Sequence, residues 1–311
     1  MPSRDGGPAV MRPHHPPPRS FVHVVPEYHH PTPTPTAMLP YAQNPAHLLF
    51  PSAAAKAEVR DVWAGNLEEE LSAIATVLPY YPCVTVDTEF PGAVHDDPAT
   101  PRYLRGPRES YALVKRNVDD LKLLQVGIAL SGAAGRFPVA WQFNIRGFNP
   151  AVDPHAPASV AMLRAQGMDL AALREFGIRP ADFADGFYRC GLVGSGHLTW
   201  AAFAGAYDFA YLAKALIGGR PLPETLGGFH ALVQQLFGPK VLDAKHLAKC
   251  CGVRGGLKQV AAALGVERAA GRAHCAGSDS LLTADVLLAM LDRFFRNSSV
   301  LSHAGTIVDL A

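Results

Sequence analysis

Two carboxylates two residues apart open the chemistry of this chain: Asp87 and Glu89, within Val84-Thr85-Val86-Asp87-Thr88-Glu89-Phe90. On a strand, side chains at i and i+2 share a face, so both acids can reach one site. Charges inside a β-branched apolar run need a partner or a cation. Asp208 sits in a similar setting, Ala206-Tyr207-Asp208-Phe209-Ala210, and Asp279 follows His274 by five residues across a Gly-bearing loop. Each has an ordinary reading taken singly. The D-x-E pair could be an exposed strand face, and Asp208 or Asp279 a first-turn carboxylate favoured by the helix dipole, with Ser278 as a cap. His274 could be a solvated loop histidine. Together, the order D-x-E, D, H-x-x-x-x-D suits two divalent cations. Oxygen ligands favour Mg²⁺ or Mn²⁺ over Zn²⁺. Two such ions can activate a water and stabilise the departing oxygen of a phosphodiester, while a histidine beside them takes the proton.

The five cysteines, Cys83, Cys190, Cys250, Cys251 and Cys275, contain no C-x-x-C pair and show no metal-ligand spacing, so no zinc site is expected. Their odd number fits reduced thiols in the cytosol or nucleus.

Several elements must position these residues. Val59, Val62, Trp63, Leu67, Leu71, Ile74 and Leu78 recur at helical steps, predicting one amphipathic helix from Glu58 to just before Pro82. Val84–Phe90 reads as a strand ended by Pro91-Gly92, followed by a polar loop over 92–108. Strands at Leu123–Leu130 and Val139–Asn144 flank a turn at Ser131–Arg136, and the three strands are expected to form the mixed edge of a sheet. Ser159–Cys190 is helical in short pieces, and Leu198–Ala202 is a strand leading to a helix with Asp208, Tyr211 and Leu212. A short strand at Pro239–Leu242, helices around Lys245–Lys249 and Leu257–Leu264, and a long final helix from near Ser278 complete the order. That last helix carries Leu281, Leu282, Val286, Leu287, Met290, Leu291 and Phe294 on one apolar face.

With 49% hydrophobic and 18% charged residues, one α/β domain over 58–311 is expected. The head, residues 1–57, reads as disordered: 13 of the 27 prolines and six of the 13 histidines fall within 1–51. It could dock a Pro-recognising partner or simply be a flexible tail, and its few acids and several arginines leave a transit peptide open. No apolar signal region is apparent. The uncharged stretch Cys190–Tyr207 is broken by four glycines, so no membrane span is expected there. A formal net charge of +1 announces no broad basic surface, but a carboxylate site subtracts from any basic rim.

Asp87-Thr88-Glu89-Phe90-Pro91-Gly92 resembles the first motif of the Caf-one/Pop-two deadenylases, the exonuclease subunits of the CCR–NOT complex. Arg116–Lys122, Leu124–Gly127, Trp141–Asn144, Tyr207-Asp208-Phe209, Asp243-Ala244-Lys245, Gly255-Gly256-Leu257 and Ala276–Thr283 follow in family order, so the resemblance spans about 58–311. It implies an RNase H-like fold of the DEDD exonucleases, with a mixed central sheet flanked by helices. It also implies Asp87, Glu89, Asp208 and Asp279 as ligands of two cations, Mg²⁺ or Mn²⁺, and His274 as general base of the His-type subclass. The implied activity is 3′→5′ removal of poly(A) as 5′-AMP, with poly(A) RNA, a Not-type scaffold and other CCR–NOT subunits as partners, in cytoplasm and nucleus. Cys275, Ala204 and Gly205 depart from the family pattern, and the head is unmatched. Asp243 has no metal role to assign and is expected to support the neighbouring helix start. The alternatives are a silent adaptor on the same scaffold and a DEDD exonuclease acting on another nucleic acid.

Overall fold

The computed structural model describes residues 56–98, 100–101, 104–296 and 299–311; all but the last two residues of the proline-rich head lie outside them. Six strands form one mixed sheet. In chain order they are β1 (Glu58–Val62), β2 (Cys83–Glu89), β3 (Gln125–Gly132), β4 (Gly135–Asn144), β5 (Thr199–Ala202) and β6 (Val241–Asp243). Their spatial order is β1-β4-β3-β2-β5-β6. The β2-β3-β4 meander is antiparallel; β1 runs parallel to β4, and β5 and β6 extend the other side in parallel. The mixed α/β architecture expected from the sequence is therefore present.

The first element differs from the helix expected there. Glu58–Val62 is a strand rather than the first turns of a helix, and the helix itself, α1, spans Leu67–Val77. Val59 and Val62 fit the helical spacing by coincidence; backbone pairing of all five residues with Val139–Phe143 decides the matter. The three predicted strands also occupy the middle of the sheet, not its edge, because β1 covers one flank and β5 and β6 the other.

Nine further helices follow: α2 (Pro107–Asp120), α3 (Pro157–Ala165), α4 (Leu170–Phe176), α5 (Pro180–Arg189), α6 (Ala206–Leu216), α7 (Leu226–Phe237), α8 (Ala244–Cys250), α9 (Leu257–Ala263) and α10 (Ala276–Phe294) among the described residues. Strand alternation sorts them into two layers. Val84, Val86, Val126, Ile128, Leu130, Val139, Trp141 and Phe143 face a large core shared with α1, α2, α5, α6 and α7. The opposite face carries Gly127, Ala129 and Ala140, and there α10 lies across β2, β3 and β4. Thr85 ties that layer down, its hydroxyl lying 3.0 Å from the Ser280 carbonyl and 3.2 Å from that of Ala129.

Candidate active site

β2 presents Thr85, Asp87 and Glu89 toward α10, and Val84, Val86 and Thr88 toward α6. β5 pairs with β2 only over Cys83–Thr85, so the far end of β2 is open on that side. Asp208, in the first turn of α6, fills the opening. Its Oδ1 accepts hydrogen bonds from the backbone N–H of Thr88 at 2.8 Å and from the Thr88 hydroxyl at 2.7 Å. Asp208 is thus held at the edge of β2, beside the two acids on its other face.

Asp279 arrives from the opposite layer in the first turn of α10. The helix begins at Ala276, two residues before the expected start, and Ser278 is not its cap but lies inside it. The close approach depends on Gly127, which pairs with Asp87 across the β2–β3 ladder. A β-carbon on Gly127 would overlap the Ala276 carbonyl, so only glycine admits the helix end here. Asp279 Oδ2 accepts from the backbone N–H of His274 at 2.7 Å, and Oδ1 from Arg268 Nη2 at 2.5 Å. Arg268 also donates to Ser278 Oγ at 2.6 Å, and Ser278 in turn donates to the Ala270 carbonyl.

His274 adopts a left-handed backbone (φ 59°), which turns the chain sharply into the helix. Its side chain is exposed, and a ring nitrogen, a Glu89 oxygen and an Asp279 oxygen all lie within 4.8 Å of one another. Thus all five residues singled out in the sequence, Asp87, Glu89, Asp208, His274 and Asp279, converge. Thr88 and Arg268 belong with them and were not read from the sequence.

The electrostatics are unfavourable to four ionised acids. Burial, then the Asp208, Glu89 and Asp279 carboxylates, lift Asp87 well above the usual carboxylate range. Burial and the nearby Asp279 and Asp208 push Glu89 up to about 8. Burial raises Asp208 to about 7 against the opposing hydrogen bonds from Thr88. Among the described residues neither Asp87 nor Glu89 has a hydrogen-bond donor on its carboxylate, and Arg268 is the cation in contact with the cluster. An oxygen-only, donor-poor, electronegative set of this kind fits hard divalent cations, which would displace the retained protons.

The positions that depart from the family pattern have identifiable places in the structure. The backbone N–H groups of Ala204 and Gly205 donate to Asp243, which also caps α8 through Lys245 and His246 and accepts from Val308. That is the supporting role expected of Asp243. Cys275 is the α10 N-cap residue, and burial with nearby Glu89 and Asp279 raises its thiol pKa, favouring the neutral form.

A mixed sheet whose open end gathers four acids and a histidine suits metal-assisted hydrolysis of a phosphodiester. The comparisons agree. Residues 62–181 match the CAF1 family ribonuclease model. Over 250 residues the chain is 38% identical to "Probable CCR4-associated factor 1 homolog 7" of Arabidopsis thaliana, covering 78% of this chain and 89% of the relative. It is 39% identical over 246 residues to "Poly(A) ribonuclease pop2" of Schizosaccharomyces pombe, covering 77% and 71%. The solved structure of S. pombe Pop2p in its Mg²⁺- and Mn²⁺-bound form superposes with a TM-score of 0.75 at 38% identity, covering 81% of this chain and 99% of that one. A yeast CAF1 co-crystallised with the NOT1 MIF4G domain gives a TM-score of 0.65 at 26% identity, covering 80% and 96%. The chain belongs to the CAF1 family of ribonucleases, and its fold is RNase H-like α/β.

Proposed function

We propose that this chain is a poly(A)-specific 3′→5′ exoribonuclease that releases 5′-AMP and works as a subunit of a CCR–NOT-type deadenylase assembly. The observation that carries the reading is the convergence of Asp87, Glu89, Asp208 and Asp279 from three distant segments, with no donor to the Asp87 or Glu89 carboxylate among the described residues. The poly(A) ribonuclease named among its relatives supports the substrate. The metal-bound Pop2p supports Mg²⁺ or Mn²⁺, and the CAF1–NOT1 complex supports a Not-type scaffold. Cytoplasm and nucleus are the proposed locations. The proline-rich head is proposed as an arm for a Pro-recognising partner.

Asp87, Glu89, Asp208 and Asp279 would hold the two cations. Bound there, the cations supply Lewis-acid activation of water and neutralise charge at the scissile phosphate. The chain does the rest. Thr88 fixes the Asp208 carboxylate with two hydrogen bonds, and Arg268 with the His274 N–H fixes that of Asp279. Rigid ligands of this kind cost little reorganisation when charge develops. The His274 imidazole, exposed and beside Glu89 and Asp279, accepts the proton of the attacking water. No described helix is long and apolar enough to cross a membrane.

The test is a 5′-labelled RNA ending in a run of adenosines, incubated with the full chain with and without Mg²⁺ or Mn²⁺. A ladder shortening from the 3′ end, mononucleotide product and silence in chelator are expected. Internal cuts, or turnover that survives chelation, would overturn the reading.

A further inference from the structure

A second cluster of ligand atoms lies away from the acids. His246 and Cys250, four residues apart, occupy one face of α8. His303 reaches them from the short 3₁₀ turn Val300–His303. His246 Nε2 lies 3.1 Å from His303 Nδ1; Cys250 Sγ lies 3.6 Å from the first and 4.0 Å from the second. In a tetrahedral zinc site, bond lengths of about 2.05 Å to nitrogen and 2.3 Å to sulfur put N···N near ~3.3 Å and N···S near ~3.6 Å. The triangle here needs shifts of only a few tenths of an ångström to meet those values.

We propose that His246, Cys250 and His303 form a second metal site, taking a soft cation of the Zn²⁺ type through two imidazoles and one thiolate. The donor chemistry separates it from the all-oxygen carboxylate site, which suits Mg²⁺ or Mn²⁺. Cys250 is exposed and the two histidines half-buried, which leaves a fourth position for water. Binding moves the Cys250 thiol proton to the buffer and forms the metal–sulfur bond, with no change of oxidation state.

The cluster is assembled before any ion arrives. The Gly305 N–H donates to the Val241 carbonyl at 2.8 Å and the Val308 N–H to Asp243 Oδ2 at 2.9 Å, holding the 300–308 segment beside β6. Phe295 packs edge-on against His303 at 5.7 Å between centroids. Val300 and Ala304 pack against the core shared by α8, α9 and α10. The spacing that brings these ligands together is His-x-x-x-Cys on a helix, not a pair of cysteines. The competing state is a single hydrogen bond between the two imidazoles, which needs neither the thiol nor an ion.

Full-length protein stripped of metal and held in saturating Mg²⁺ would be titrated with Co²⁺. A thiolate-to-cobalt charge-transfer band growing to one equivalent is expected, erased by Zn²⁺ and unaffected by further Mg²⁺. Cys250→Ser and His303→Ala should abolish it. Cys275→Ser should keep it; that control is needed because Cys275 is the thiol beside the catalytic acids. Zn²⁺ should also raise the melting temperature of the wild type but not of Cys250→Ser, whose exposed position makes misfolding no explanation. Absence of the band, or a band that disappears with Cys275 instead of Cys250, would overturn the proposal whatever the nuclease assay shows.

Discussion

Gly127 in β3 and Ala276 at the head of α10 stand so close that a β-carbon on the glycine would come within 1.9 Å of the alanine carbonyl oxygen. Because Gly127 is the cross-strand partner of Asp87, this contact sets how near Asp279 comes to Asp87. Gly127→Ala must push the helix off the sheet. Overpacking against backbone costs about 1–3 kcal/mol or more, and a domain of this size loses roughly 2–4 °C in melting temperature per kcal/mol. A drop of several degrees together with near-complete loss of exonuclease rate is expected. A variant with wild-type melting and rate would show that the approach of the helix is unimportant.

Metal-free protein should lose stability as pH rises. Glu89 is raised from its ordinary 4.5 to about 8, and Asp208 from 3.8 to about 7. Between the unfolded and folded values the native state holds protons that the unfolded chain has released, so unfolding free energy falls with pH. The contribution is complete below about pH 4 and lost by about pH 8. Melting curves of chelator-treated protein across this window should show the decline, and saturating Mn²⁺ should cancel it. Asp87→Asn should flatten the slope while abolishing activity. A metal-free melting temperature independent of pH would refute the picture of crowded acids.

His274 is best tested with a residue that tolerates its left-handed backbone. His274→Asn keeps that conformation at low cost, whereas alanine adds strain next to Asp279. The asparagine variant should turn over about 10²–10⁴-fold more slowly with Mn²⁺ affinity near wild type by calorimetry. Equal loss of affinity and rate would make His274 a ligand or a support instead of the base.

Arg268 contacts Asp279 and Ser278 through different guanidinium nitrogens. Partners that orient a metal ligand typically matter by about 10–100-fold, so Arg268→Ala should lose activity or cation affinity on that scale. Arg268→Lys should restore little, since one ammonium cannot reproduce the two-nitrogen fork. Single-turnover rates at saturating Mn²⁺ decide it; full activity in the lysine variant would reduce Arg268 to a point charge.

Deleting residues 1–51 should leave the rate on naked poly(A) unchanged, since that segment has too few core-forming side chains to build part of a site. A substantial fall in the single-turnover rate would show that the head contributes to substrate binding or folding.

The acids were legible because their signals are local. A two-residue period puts Asp87 and Glu89 on one face, Asp208 opens a helix from within an apolar run, and Asp279 follows His274 by five residues where the last helix starts. Helix α2 was missed although Tyr111, Val114, Val118 and Leu121 follow a helical stripe behind Pro107; the charged stretch before it blurred the start. Arg268 and Thr88 could not be read at all. Arg268 meets Asp279 only through the turn of the intervening loop, and Thr88 matters because β5 stops short of it. Both depend on where a neighbouring element ends, which no periodicity records. Glu58–Val62 failed for the same reason: its fate was decided by β4, some eighty residues on.

The active centre is divided along the chain with its last parts far from its first. Asp87 and Glu89 belong to the second strand, while Arg268, His274 and Asp279 are brought by α10 and the loop that enters it. α10 also lies across β2, β3 and β4, so the acids of β2 lack their cover until it docks. A chain still growing on a ribosome, and only as long as residue 260 or so, has the first three acids but neither the fourth nor the histidine. Such a chain holds only part of the acid cluster. The order of residues along the chain thus delays assembly of the acid cluster until α10 has been made.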